Sequence, residues 1–228
     1  MRLYMLDSRA LTEADMEPVR RRFPARFARA CRMRREEDRR SVIGSGLLLL
    51  RVLRVEDEAS LRRTPAGRPY LEQGPVFSLS HSAGRCLLAV GEGTRIGADL
   101  ERLDPANLQA AEAALGPEEL AWMRGEPLER FHILWTRKES VFKALGGYAE
   151  PREIPTREGE LPPGMRLCSA VLEGFALSVC ADEALRGIDP AYIESIYSVA
   201  QCYRLHSVNE ASDNRHQASG TARKVSKI

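Results

Sequence analysis

Lysine is almost absent from this chain. Of its 34 lysines and arginines only four are lysine, and two of those, Lys224 and Lys227, lie near the C-terminus. The other two, Lys138 and Lys143, flank Glu139 within the stretch WTRKESVFKALGGY. A site that needs only positive charge is served as well by arginine, which this chain prefers. A compact ammonium with a proton to donate is not interchangeable with a guanidinium. The two lysines therefore point to a reacting phosphate or leaving group that needs a point charge.

Other absences narrow the field. The five cysteines (Cys31, Cys86, Cys168, Cys180, Cys202) are scattered, odd in number and never spaced C-x-x-C. That excludes a disulfide framework or a zinc site and fits reduced thiols in a cytoplasm. The most apolar run, Ser41 to Leu50, is too short to cross a bilayer and ends at Arg51. The N-terminal MRLYMLDSRALTEADM has no apolar core, so no secretory leader and no membrane partner are expected. A net charge of +2 argues against a nucleic-acid polyanion as partner. There is no G-x-S-x-G elbow, so the Ser80-His81 pair is not read as a hydrolase, and no Walker loop is found.

What is present is a chain long enough to bury a real core, with 43% hydrophobic residues. Residues 2–7 predict an opening strand, and an arginine-rich helical region follows. Its ten arginines from Arg20 to Arg40 form either a solvated face or an anion-binding one. SVIGSGLLLLRVLRV (41–55) predicts a buried amphipathic helix, with Leu47, Leu50, Val52 and Leu53 inward. Glycines and prolines make 64–75 turns. Strands at 76–80, 86–92 and 95–101, joined by short connections, predict an antiparallel meander. Helices are expected over 107–115 and from Pro117 through the lysine-bearing stretch to Gly146-Gly147, and late strands at 165–182.

Beyond about residue 186 the composition turns to Asn, Gln, His and Ser, which predicts a disordered tail, residues 187–228. Three further groups bear on chemistry. Asp99 and Glu101 stand two apart on a strand and share a face, either as the polar side of an edge strand or around a hard cation. Glu139 and Lys143 are one helical turn apart, which suits a surface pair, while Thr136 and Glu139 could form a capping box. Arg68, set between Gly67 and Pro69, suits a turn or an anion clamp.

In order, GRPY (67–70), FSLSHS (77–82), IGADLE (96–101) and WTRKESVFKALG (135–146) resemble the motifs of 4′-phosphopantetheinyl transferases of the surfactin-synthetase-activating type. The resemblance covers roughly residues 1–185; Ala98 departs from the usual branched aliphatic. It implies an α+β fold of two similar halves, each an antiparallel sheet packed with helices, in a monomeric pseudodimer. The halves would be residues 1–104, with the coenzyme A site and first metal ligands, and 105–186, with the catalytic helix. It implies transfer of the phosphopantetheine arm of coenzyme A to a serine of an apo acyl or peptidyl carrier protein, releasing adenosine 3′,5′-bisphosphate. By the same resemblance Asp99, Glu101 and Glu139 hold Mg²⁺, with Asp99, Glu139 and Lys143 catalytic. Coenzyme A contacts are implied at Arg26, Arg29, Ser41, Arg68, Ser80, His81 and Lys143. Glu119 would match an extra acid that some relatives add to the metal site.

Overall fold

The computed structural model describes residues 1–65, 67–146, 148 and 150–182, together with the backbone of 193–196 and 202–206. Three helices open the fold after strand β1 (Arg2–Asp7): α1 (Glu13–Arg22), α2 (Pro24–Cys31) and α3 (Glu36–Val52). Helix α1 begins on a capping box, with the Thr12 hydroxyl and the Asp15 carboxylate satisfying each other's backbone amides. Short strands β2 (Leu61–Arg63) and β3 (Pro69–Leu71) pair as a hairpin where only turns were expected. Strands β4 (Val76–Ser82), β5 (Arg85–Gly91) and β6 (Ile96–Arg102) follow. Next come helices α4 (Ala111–Ala114), α5 (Pro117–Met123) and α6 (Pro127–Leu145), then strands β7 (Arg166–Leu172) and β8 (Phe175–Ala181).

The strands form two antiparallel sheets besides the hairpin. One has the order β4-β5-β1 and continues into β10 (Cys202–His206) and β9 (Ile193–Ile196); the other is β6-β8-β7. The meander expected through β4, β5 and β6 is therefore broken after β5. Strand β5 already has β4 on one edge and β1 on the other, so β6 finds its backbone partner in β8 of the second sheet. The tail expected to be disordered lies outside the described residues except for β9 and β10. There the backbone pairs with the open edge of β1, an unpaired row of amides that accepts a strand.

Alternation along the strands builds the layers. From β1, Tyr4 and Leu6 point to the helices, while Leu3 and Met5 point to the second sheet; from β5, Cys86 and Leu88 take the first side and Leu87 and Ala89 the second. The result is four layers: α1–α3, the larger sheet, the smaller sheet, and α6. Helix α3 is buried on all sides from Ser41 to Leu49, not along one stripe as its periodicity predicts, because neighbouring helices and the sheet both cover it. The hairpin joining β7 and β8 turns through Glu173 (φ 48°) and Gly174 (φ 79°), the left-handed pair that a tight two-residue turn requires. Cys31, Cys86 and Cys180 are free thiols, and among the described residues no helix is long and apolar enough to cross a membrane.

Candidate active site

The two sheets approach each other at their end strands β4 and β6, and no backbone ladder joins them there. Serine side chains bridge the gap instead. Ser78 Oγ accepts from the Ala98 amide (3.0 Å), Ser80 donates to Asp99 Oδ1 (2.6 Å), and Ser82 donates to Glu101 Oε2 (2.7 Å) while accepting from the Arg102 amide (3.1 Å). The period of two in FSLSHS aims all three hydroxyls at β6. Both acids of IGADLE are thereby positioned from the neighbouring sheet. Asp99 and Ser80 are buried, Glu101 half-buried.

Helix α6 closes the site from the other side. It approaches β6 at Gly97, where a Cβ would lie 1.8 Å from the Ser140 carbonyl oxygen. That approach carries Lys143 Nζ to 2.5 Å from Asp99 Oδ1, 3.3 Å from the Ala98 carbonyl and 3.4 Å from Ser80 Oγ. Lys143 pairs across the fold with Asp99 and not as a surface pair with Glu139. The capping box at Thr136 is also absent: Thr136 is buried in mid-helix, bonded to the Ile133 carbonyl and Ser178.

The carboxylates share one electrostatic neighbourhood. Burial, then repulsion from Asp99, pushes Glu101 up to about 7 against the Ser82 bond, and the same two causes raise Glu139. Asp99 Oδ2 is buried with no hydrogen-bond donor. Hard oxygen donors with an orphaned carboxylate oxygen fit a divalent cation. As placed, though, no three acids, histidines or cysteines among the described residues close into a ligand set, and the Lys143 ammonium occupies Asp99 Oδ1.

Glu101 offers a test in metal-free protein. Its folded pKa lies above the unfolded value of 4.5, so the stability it adds is full below pH 4.5 and lost as pH rises through about 7. Glu101→Gln should therefore gain thermal stability relative to the parent between pH 4.5 and 7.5. Parallel melting curves in EDTA would show the gap widening with pH; a pH-independent gap would remove the shift.

A group of basic residues adjoins the acids. His81, near the end of β4, is pushed below its ordinary pKa first by desolvation of its ring and then by Lys143, Arg26 and Arg29. Arg26 on α2 is only 7% exposed and its Nε has no acceptor. Burial and the neighbouring Arg29 lower it to about 10, against the opposing pull of Glu58. Ser41 is not brought to this group: it is 1% exposed and its hydroxyl donates to the Glu37 carbonyl within α3. Arg68 directs its two terminal nitrogens at main-chain carbonyls, those of Lys143 and Phe77.

Glu119 does not join the acids. It accepts from Lys138 (2.9 Å), Thr156 and the Gly116 amide, at the wall of a separate cavity of about 440 Å³ lined by none of the residues around Asp99. Lys138 is 2% exposed and also donates to the Ile154 carbonyl. The scarce lysines thus do different jobs, one reaching Asp99 and one neutralising Glu119 inside the protein. Truncating either member of that buried pair strands the other charge, so Lys138→Met should cost about 3–5 kcal/mol. The double change Lys138→Met, Glu119→Leu should recover most of it; additive losses in a double-mutant cycle would rule out the pairing.

Residues 95–158, from β6 to beyond α6, match the family model of the 4′-phosphopantetheinyl transferase superfamily. The chain is also 30% identical over 115 residues to the 4′-phosphopantetheinyl transferase gsp of Aneurinibacillus migulanus, covering 47% of this chain and 48% of gsp. It is 32% identical over 122 residues to the transferase AcpT of Salmonella typhi (50% of this chain, 62% of AcpT). Over 123 residues it is 37% identical to the transferase HetI of a Nostoc species (50% and 52%). The chain thus spans about half to three-fifths of these relatives. Asp99, Glu101, Glu119, Lys138, Glu139 and Lys143 all lie within the matched segment; Arg26, Arg68, Ser80 and His81 lie outside it.

The sequence missed Ser78 and Ser82 as supports of β6. The signal was the S-x-S-x-S alternation, legible only once β6 is known to lie beside β4.

Proposed function

We propose that the chain transfers the 4′-phosphopantetheine group of coenzyme A to a serine hydroxyl of an apo acyl or peptidyl carrier protein, releasing adenosine 3′,5′-bisphosphate. The observation that carries this reading is the junction of two charge fields. The acids Asp99, Glu101 and Glu139 stand beside Lys143, and Arg26, Arg29 and His81 form a basic group next to them. A diphosphate laid across that junction would have its adenosine end among arginines and its transferred end among acids.

Asp99, Glu101 and Glu139 would hold Mg²⁺, which when bound supplies positive charge against the diphosphate oxygens. The residues do the rest by position and electrostatics, which is where protein contributes most to phosphoryl-type transfer. Glu139, its pKa raised by burial, accepts the proton of the carrier serine, directly or through water. The serine oxygen bonds to the phosphorus next to pantetheine as the bridging oxygen departs with the adenosine bisphosphate. Lys143 stabilises the charge on that departing group. Arg26, orphaned and buried, meets a phosphate of the nucleotide end.

The reading includes a monomer of two similar halves working in the cytoplasm on soluble carriers. The test is an incubation of the protein with Mg²⁺, coenzyme A and an apo carrier, followed by intact mass of the carrier. Added phosphopantetheine supports the transferase. Consumed coenzyme A with an unchanged carrier would indicate a hydrolase, and neither change a binding module.

A further inference from the structure

Helix α6 ends at Leu145, and its final carbonyls lack partners in the helix. The Phe142 carbonyl is satisfied by the Gly146 amide (2.7 Å). The next carbonyl is that of Lys143 itself. Arg68 meets it: Nη1 donates to the Lys143 carbonyl, and Nη2 donates to the Phe77 carbonyl on β4 (2.8 Å). One guanidinium thus ties the end of the lysine-bearing helix to the strand that presents Ser78, Ser80 and Ser82.

The delivery of Arg68 is itself fixed. It follows the turn between β2 and β3, where Gly67 adopts φ 80°. The Thr64 amide donates to the Arg68 carbonyl (2.9 Å), and the Arg68 amide donates back to Thr64 Oγ1 (3.2 Å). Arg68 Nε is sealed from solvent without an acceptor, so the group pays a desolvation cost that lowers its pKa. A side chain arranged to grip a soluble phosphate would keep its fork free; here both prongs are spent on main chain. A cation at a helix C-terminus also complements the negative end of the helix dipole.

We infer that Arg68 is a positioning residue for Lys143, clamping the C-terminal turn of α6 to β4, and not a contact for a phosphate of the coenzyme. Lys143 Nζ depends on this because its 2.5 Å approach to Asp99 is made from the same residue whose carbonyl Arg68 holds. Arginine is needed because its planar fork places two separate nitrogens, one for each carbonyl; the donors of a lysine all radiate from a single nitrogen and do not span the two.

The inference rests on the transferase reading for its kinetic arm but not for its structural one. Arg68→Lys and Arg68→Ala would be compared with the parent in three ways. Hydrogen exchange of the amides in 142–146 should quicken roughly tenfold in both variants, more in alanine, with α3 unchanged. Affinity for coenzyme A, by calorimetry without a carrier, should stay within about twofold, because the charge that meets phosphate lies elsewhere. Turnover at saturating coenzyme A should fall by up to about 10²-fold, since displacement near 1 Å can cost that much. Unchanged exchange at 142–146 would overturn the clamp. So would a tenfold or greater loss of coenzyme A affinity with turnover preserved, the pattern of a phosphate contact. If the alanine variant does not fold, the lysine variant carries all three readouts. A parent protein that transfers nothing would sink the transferase reading, while the exchange experiment would still decide the clamp.

Discussion

Asp99→Asn should lower phosphopantetheine transfer by roughly 10²–10³-fold and leave the protein folded, the loss typical of removing one preorganised electrostatic group. The substitution keeps size and shape while removing the charge at the centre of the site. Asp99 Oδ1 is where Lys143 and Ser80 converge, and Oδ2 is buried and without a donor. Without that charge the ammonium loses its anchor and the acids lose the member closest to it. Stability should move little, because two effects oppose. Lys143 loses its nearest counter-charge, which destabilises, while Glu101 and Glu139 are relieved of the repulsion that raises them. A melting temperature within a few degrees of the parent, with turnover nearly gone, is the expected pair of results. Turnover within a factor of two of the parent would take Asp99 out of the chemistry.

Gly97→Ala should damage the fold itself. Its Cβ would stand 1.8 Å from the Ser140 carbonyl oxygen and 2.6 Å from the Ala144 amide nitrogen, both of them backbone. No side chain can rotate out of the way, so α6 must move off β6. Overpacking usually costs about 1–3 kcal/mol where side chains can yield, and the cost here should reach or pass the top of that range. For a chain of this size that corresponds to a fall of roughly 6–12 °C or more in melting temperature. Turnover of whatever folds should fall as well, since Glu139 and Lys143 ride on the displaced helix. Gly159→Ala is the matched control, because its Cβ meets nothing within 4 Å. A Gly97→Ala protein with parental melting and turnover would show that α6 does not lie against β6 at this distance.

The two outcomes bear on how far sequence reached. The strand IGADLE and the helix through Lys143 were legible because their periods are clean and Gly146 marks the stop. The acids at 99 and 101 and the anomalous lysines were legible because residue type departs from the habits of the rest of the chain. The break of the meander after β5 was not, because edge occupancy depends on β1, eighty residues earlier in the chain. Nor was the division of labour between the lysines. Lys138 and Lys143 are five apart on one helix and so face different sides, and only the packing of Glu119 against one and Asp99 against the other tells them apart.

By itself the sequence determined which elements form and which side chains of unusual chemistry they carry, since both follow from local propensity and from residue identity. Tertiary structure decided what those side chains meet. Ser80 and Ser82 became supports of acids, Glu119 the counter-ion of a buried lysine and Arg68 the cap of α6. Hydrogen bonds and ion pairs act over a few ångströms of space, and in this fold those ångströms join residues 19 to 75 positions apart along the chain.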